Sequence, residues 1–366
     1  MIVTMKNTTT KAISQKLETL HVQRGEAAQG RVLTLIISCA QRELEDSLRI
    51  ANEISGEHPC RVIALVPGGT SVNPKAVLAQ DTRDVNPDAA REGVLQGNET
   101  DLEAEIRFGA DAGASDVIVL FPHGELAQHL DTLVIPLMVA DTPVVAWWPT
   151  QAPDNPAQDP IGRMAVSRIT DAARSSEPLE TLEKLTRVAT LEDVDLSWTH
   201  LTLWRASLAS VLDQAQGHKI ISAEVTGSPE NISVRLMAAW LATVAGAQAS
   251  IRPQQANEEC EGGPVPEGII RGVKLTMDDG GVYTLSRGIS MAKRALQDAG
   301  VEVDPSWQSP ALHDGAWVTT PTSKAPQMIS LPHRSTADCL SEELGRLYPD
   351  PLYSRVLRSS FTVIHD

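Results

Sequence analysis

The sequence predicts an α/β protein in two parts: an N-terminal, mostly parallel, Rossmann-like sheet with flanking helices, and a C-terminal α+β domain. Three observations predict it. Residues 31–38 and 60–66 are almost wholly apolar and are separated by a helical repeat, so strand, helix and strand follow within about 36 residues. That is a βαβ unit, and parallel pairing follows from it. Residues 116–121 and 143–146 are two further runs without polar alternation, as strands buried on both faces of a parallel sheet require. Beyond residue 270 the pattern changes. Val273, Leu275 and Met277 alternate with Lys274 and Thr276 and run into Asp279-Gly280, which reads as an antiparallel hairpin. The chain has 366 residues; at roughly 100–200 residues per domain that means about two. They are expected at 1–172 and 173–366.

Taken in order, Ala12, Ile13, Leu17 and Leu20 fall on helical spacing and predict an opening helix over 8–22. After the first strand, Leu44, Leu48, Ala51 and Ile54 line one helix face, with Gly56 as the stop and Pro59 forbidding continuation. Residues 67–100 are polar and carry Gly68-Gly69, Asn73-Pro74 and Asn86-Pro87, so they read as a mobile insertion. In the stretch from Leu102 to Phe108 apolar and charged residues alternate, which predicts an edge strand with one face in water. Residues 125–140 read as a helix broken at Pro136, and Arg168-Ile169-Thr170-Asp171 as one more short strand. In the second domain 182–188 is helical, and Leu201, Trp204, Leu208 and Val211 define an amphipathic helix within 196–214 that Gly217 ends. A strand at 219–225, a helix at 234–245, a flexible connection at about 252–268 and the hairpin at 270–286 follow. Ser335 and Asp338 resemble a capping box for a helix bearing Leu340, Leu344 and Leu347. Asp350-Pro351 supplies the N-cap and first position of a last helix.

The net charge of −16, without any basic run, excludes nucleic acid and anionic membrane as expected partners. Residues 1–17 lack the apolar core of a signal peptide, and the longest apolar stretch is interrupted by Pro136, Asp141 and Pro143, so the chain is expected to be cytoplasmic. Cys39, Cys60, Cys260 and Cys339 are far apart, form no C-x-x-C pair and are expected to be reduced thiols.

Catalytic motifs are missing. There is no Walker-type phosphate loop, the turn after the first strand (Ser38-Cys39-Ala40) has no glycine, and Gly109 and Gly113 lack the dinucleotide spacing. No H-E-x-x-H and no G-x-S-x-G occur, and His123 and His129 are spaced onto different helix faces. No cofactor, metal or catalytic residue is therefore expected, and a binding scaffold is the better reading of such a sheet.

Two constellations are candidates for a contact surface. One is Trp147-Trp148-Pro149 at a strand end, with Asp159, Arg163, Arg168 and Asp171 after it. Aromatic and Arg side chains anchor interfaces in this way. The alternative is that one Trp fills the core and the charges pair among themselves. The other is Trp198 with Arg205 at the border of the second domain's main helix, where Trp204 lies on the apolar stripe. Arg205 is also a candidate to hold a sugar phosphate.

Several blocks occur in a familiar order. They are Gly30-Arg-Val-Leu-Thr-Leu-Ile-Ile37, Glu57-His-Pro-Cys-Arg-Val-Ile63, Asp141-Thr-Pro-Val-Val-Ala-Trp-Trp-Pro149, Arg168-Ile-Thr-Asp171 and Asp195-Leu-Ser-Trp-Thr-His-Leu-Thr-Leu-Trp-Arg205, then Leu331-Pro-His-Arg334 and Cys339-Leu-Ser-Glu-Glu-Leu344. Over nearly its whole length the chain resembles the OpcA family, the glucose-6-phosphate dehydrogenase assembly or activator proteins of actinobacteria and cyanobacteria. The resemblance implies a non-catalytic protein that binds glucose-6-phosphate dehydrogenase and promotes its active oligomer in the oxidative pentose phosphate pathway. It transfers no catalytic residue. In photosynthetic members activation is tied to thiol redox state, which the cysteine spacing here does not carry over. The alternative function is a sugar-phosphate- or nucleotide-binding sensor or enzyme acting on its own.

Overall fold

The computed structural model describes residues 1–24, 31–71, 102–108, 116–215, 217–253, 270–298, 300–302 and 314–359. Most of the expected insertion at 67–100 and of the flexible connection at 252–268 lies outside the described residues, as do Cys260, Gly109 and Gly113. In chain order the elements are β1 (Ile2–Met5), α1 (Thr10–Arg24), β2 (Leu33–Ser38), α2 (Leu44–Ile54), β3 (Cys60–Leu65), β4 (Leu102–Arg107), β5 (Asp116–Pro122), α3 (Leu130–Val134), β6 (Val144–Trp148) and β7 (Ser167–Thr170). There follow α4 (Pro178–Val188), β8 (Asp193–Asp195), α5 (Leu196–Thr199), α6 (Thr202–Leu212), β9 (Ile220–Thr226), α7 (Ile232–Ala245), β10 (Gln248–Arg252), β11 (Gly272–Met277) and β12 (Val282–Ser286). The chain ends with α8 (Ile289–Asp298), β13 (Gly315–Thr319), β14 (Gln327–Ser330), α9 (Thr336–Arg346) and α10 (Pro351–Ser359).

These elements form two compact units. The first is Met1–Thr170 with Thr336–Tyr348; the second is Asp171–Ser335 with Pro349–Asp366. The chain thus returns to the first unit for α9 after passing through the second.

In the first unit the sheet runs β1-β4-β5-β3-β2-β6-β7. β2, β3, β5, β6 and β7 are parallel, and numbered among themselves they stand 3-2-1-4-5, the doubly wound order. The apolar runs explain this: a strand with no polar face must be covered on both sides. On one side α1 brings Ile13, Leu17 and Leu20 against Ile36, Ile63, Ile118, Ala146 and Trp148. On the other, α2 packs on β3 and against α9, burying Leu44, Leu48, Ala51 and Ile54.

The expected edge strand at 102–108 is corrected. β4 lies inside the sheet, paired with β5 on one side and with β1 on the other. β1 comes from the N-terminal stretch that the sequence reading had left without structure. The charged face of β4 is buried rather than wet, because its charges satisfy one another. Arg107 donates to Glu105 from Nε at 3.1 Å and from Nη2 at 2.9 Å, and to Glu45 of α2 at 3.0 and 2.8 Å. The guanidinium holds the Glu45 carboxyl below the usual carboxylate range. Residues 125–140 do not form one helix. A 3-10 turn at Gly124–Gln128, α3, and a second 3-10 turn at Ile135–Leu137 that contains Pro136 share the segment.

In the second unit the sheet runs β10-β9-β11-β12-β13-β14. β9 and β10 are parallel and the other neighbours antiparallel. The hairpin turn uses Gly280 at φ +84°. α7 is capped by Asn231, whose side chain accepts from Val234 N, and ends at left-handed Gly246. The expected helix at 196–214 is interrupted: α5 ends at Thr199 and α6 begins at Thr202. Asp350 Oδ1 accepts from the N–H groups of Leu352 and Tyr353, so it caps α10.

Candidate functional site

In a doubly wound sheet the ligand crevice lies past the carboxyl ends of the strands where the order reverses, here between β2 and β6. The chain leaves β2 through Ser38-Cys39-Ala40 into a 3-10 turn at Gln41–Glu43 that feeds α2. Glu43 Oε2 accepts from Ala40 N at 3.2 Å and from Thr150 Oγ1, just past β6, at 2.6 Å. Gln41 Oε1 accepts from Thr70 N past β3. The helix entrance that would cradle a phosphate thus holds the protein's own carboxylate, and a second anion there would be repelled. Burial and the Glu43 charge push the Cys39 thiol up to about 12, and Cys60 and Cys339 are buried and form no disulfide among the described residues. Cys39 is therefore not a reactive thiolate at neutral pH.

The two residues that end β6 and the proline after them are buried: Trp147 at 0% exposure, Trp148 at 3%, and Pro149. Strand alternation sends the two indoles to opposite faces. Trp148 joins the α1-side core. Trp147 lies on the α2 side, and its indole N–H finds no hydrogen-bond partner among the described residues. Both tryptophans therefore build the floor of this region, and its exposed surface comes from the following turn. There Asp159 Oδ1 accepts from Ile161 N at 2.9 Å and Gly162 N at 3.4 Å. Arg163 is exposed, with its Nε on Gln158 O. Arg168, buried on β7, donates Nη1 to Gly162 O. Gly162 has no room for a side chain, since a Cβ would come 1.8 Å from the Pro156 carbonyl oxygen.

In the second unit Trp198 is fully buried. Its Nε1 donates to Asp350 Oδ2 at 2.8 Å, and its ring lies 5.4 Å from that of Tyr353. Arg205 lies over the indole ring, 3.7 Å from its centroid, and donates Nη2 to Thr202 Oγ1 at 3.2 Å. Its guanidinium is thus engaged within the fold by a cation–π contact. Asp171 is buried, and neither carboxylate oxygen has a hydrogen-bond partner among the described residues. Burial, then the charge of Asp195, raises its carboxyl well above the ordinary range, against the opposing pull of Arg174. Asp195 itself is satisfied by the N–H groups of Ala172 and Ser197.

The sequence reading missed Glu43, Gln41 and Thr150. The available signal was a Glu three residues after Ala40, the spacing of a reciprocal helix cap, directly behind an apolar strand. Among the described residues no helix is long and apolar enough to cross a membrane.

Together these features define a two-unit α/β protein whose first sheet has nucleotide-fold order but whose strand-end crevice is held by its own side chains. Two family models match it. The glucose-6-phosphate dehydrogenase subunit N-terminal domain matches residues 51–187 and the corresponding C-terminal domain matches residues 191–357. The chain belongs to this OpcA family of glucose-6-phosphate dehydrogenase assembly subunits. No curated protein matches it. Among solved structures it is similar to glucose-6-phosphate 1-dehydrogenase from Mycobacterium avium, with 10% identity, TM-score 0.35, and coverage of 88% of this chain and 90% of that one. It is similar to the same degree to a putative oxidoreductase, yvaA, from Bacillus subtilis, with 10% identity, TM-score 0.35, and coverage of 88% and 95%.

Proposed function

We propose that this chain binds glucose-6-phosphate dehydrogenase and favours its active oligomer, without catalysing a reaction of its own. Membership of the assembly-subunit family supports the partner. The observation that carries the non-catalytic half is the Glu43 carboxylate bonded to Ala40 N and Thr150 Oγ1 at the helix entrance, where a nucleotide fold would hold phosphate. To activate, the chain must bind the active form of the enzyme better than the inactive one. A coupling of about 1–3 kcal/mol would change apparent substrate affinity roughly 5–150-fold.

In this reading the contact uses the turn from Asp159 to Arg163, presented by Trp147, Trp148, Pro149 and Arg168 beneath it. A second contact comes from Arg205, which is partly exposed; the buried Trp198 holds its guanidinium, and Asp171 lies within the fold. Arg163 is the exposed anchor. Mixing the chain with the same organism's dehydrogenase on a sizing column should give co-elution, and Arg163→Ala should weaken the complex by about tenfold, the ~1.4 kcal/mol expected of an interface Arg. Absence of co-elution would defeat the function. Co-elution unchanged by Arg163→Ala would defeat the site.

A further inference from the structure

The second unit carries a polar concavity that its core does not use. Side chains alternate across its sheet. Val225, Val273 and Leu285 sit in register on one face and are buried. Glu224, Lys274 and Thr284 sit in register on the other. α8 covers part of that second face, where Ile289 and Ala292 pack on Trp317. It comes down close because Gly272 offers no side chain: a Cβ there would lie 2.3 Å from Met291 Sδ. Arg294 and Asp298, one turn apart on α8, then face Glu224, Lys274, Thr284 and Arg252 across a cavity of about 160 Å³. A single water needs only ~10–15 Å³ measured in this way, so there is room for a small organic molecule.

The lining is chemically mixed and specific. Arg252, Lys274 and Arg294 bring three cations into one small site of a chain whose net charge is −16. Two carboxylates accompany them. Arg252 Nε pairs with Glu224 Oε1 at 3.2 Å, which neutralises one of them and leaves the site with a positive excess. Cations suit a phosphate, while carboxylates accept from sugar-type hydroxyls; the Thr284 hydroxyl is buried and already bonded to Thr319 Oγ1 at 2.6 Å. We propose that this concavity is a binding site for a small phosphorylated polyhydroxy metabolite, the phosphate held by Lys274 and Arg294 and the hydroxyls read by Asp298 and Glu224. Nothing in it requires the dehydrogenase, so the site stands or falls separately from the assembly function.

The test is calorimetric titration of the full chain with glucose 6-phosphate, glucose and inorganic phosphate. Glucose 6-phosphate is expected to bind with Kd below about 1 mM, glucose not to bind, and phosphate to bind more weakly than the sugar phosphate. The variant Lys274→Gln/Arg294→Gln should weaken glucose 6-phosphate by at least about tenfold. Lys184→Gln, which alters an exposed i,i+4 pair with Glu180 on α4, should leave it unchanged, and both variants should keep the parental melting temperature. Absence of binding, equal binding of phosphate and glucose 6-phosphate, or equal affinity in the double variant would overturn the proposal. If the double variant fails to fold, Asp298→Asn takes its place, with the same loss expected for the sugar phosphate and none for inorganic phosphate.

Discussion

The buried charges of β4 give the sharpest test of the fold. Arg107→Met removes four donated hydrogen bonds, two to Glu105 and two to Glu45. The two acceptors are not equivalent. The Glu45 side chain is 74% exposed and that of Glu105 is 2% exposed. Water replaces Arg107 at Glu45, so that half of the network is worth about 1 kcal/mol or less. Glu105 is buried and would keep only the Ser71 hydroxyl, and leaving a buried carboxylate without its cation costs about 3–5 kcal/mol. Arg107→Met is therefore expected to lose about 3–5 kcal/mol, nearly all of it through Glu105, whereas Glu45→Gln should lose about 1 kcal/mol or less. The double variant Arg107→Met/Glu105→Leu should recover most of the loss, because an apolar pair of similar volume replaces a buried ion pair at little net cost. Urea unfolding of the four proteins measures each value. If Arg107→Met and Glu45→Gln were equally mild, or the double variant no better than the single, the account of β4 as an internally satisfied buried strand would be wrong.

Further outcomes follow from individual contacts. Gly162→Ala forces the Pro156 carbonyl away from a Cβ at 1.8 Å and should cost about 1–3 kcal/mol; a melting temperature equal to the parent would contradict the tight turn. Trp198→Phe deletes the 2.8 Å bond to Asp350 and should cost about 1–3 kcal/mol by leaving that carboxylate short of a donor, as chemical denaturation would show. Asp171 has its folded pKa raised by burial and by Asp195. The fold thus holds this proton more tightly than the unfolded chain does, and its stability contribution is complete below the unfolded carboxylate range and lost as pH rises through the folded value. Asp171→Asn should therefore stabilise the chain at neutral pH, with the gain shrinking towards about pH 4, the ordinary Asp range; thermal melts across pH that show a constant difference would refute this.

Much of the first unit was legible because its strands are uniformly apolar. Val62 to Leu65 and Val117 to Phe121 admit little but a doubly covered strand, and the Leu44–Ile54 stripe fixes the helix between the first two strands. β4 was misread for a physical reason. Alternating Glu and Arg signal a wet face only if the charges lack buried partners, and Glu45 is 62 residues away from Arg107. The double tryptophan is legible as the end of a buried strand, but adjacency alone does not show that both faces of β6 are covered. α8 had a readable stripe in Ile289, Ala292 and Leu296. The broken helix at 196–214 did not announce its break, since it contains neither Pro nor Gly. The α8 concavity was beyond sequence reading, because its cations come from β10, β11 and α8 and meet only through strand register.

The most direct measurement is the initial rate of the same organism's glucose-6-phosphate dehydrogenase against glucose 6-phosphate, with and without the purified chain, read together with the size of the species in the mixture. The account predicts a larger complex and a lowered KM or raised kcat, with no turnover from the chain alone. A complex with unchanged kinetics, or turnover by the isolated chain, would contradict it.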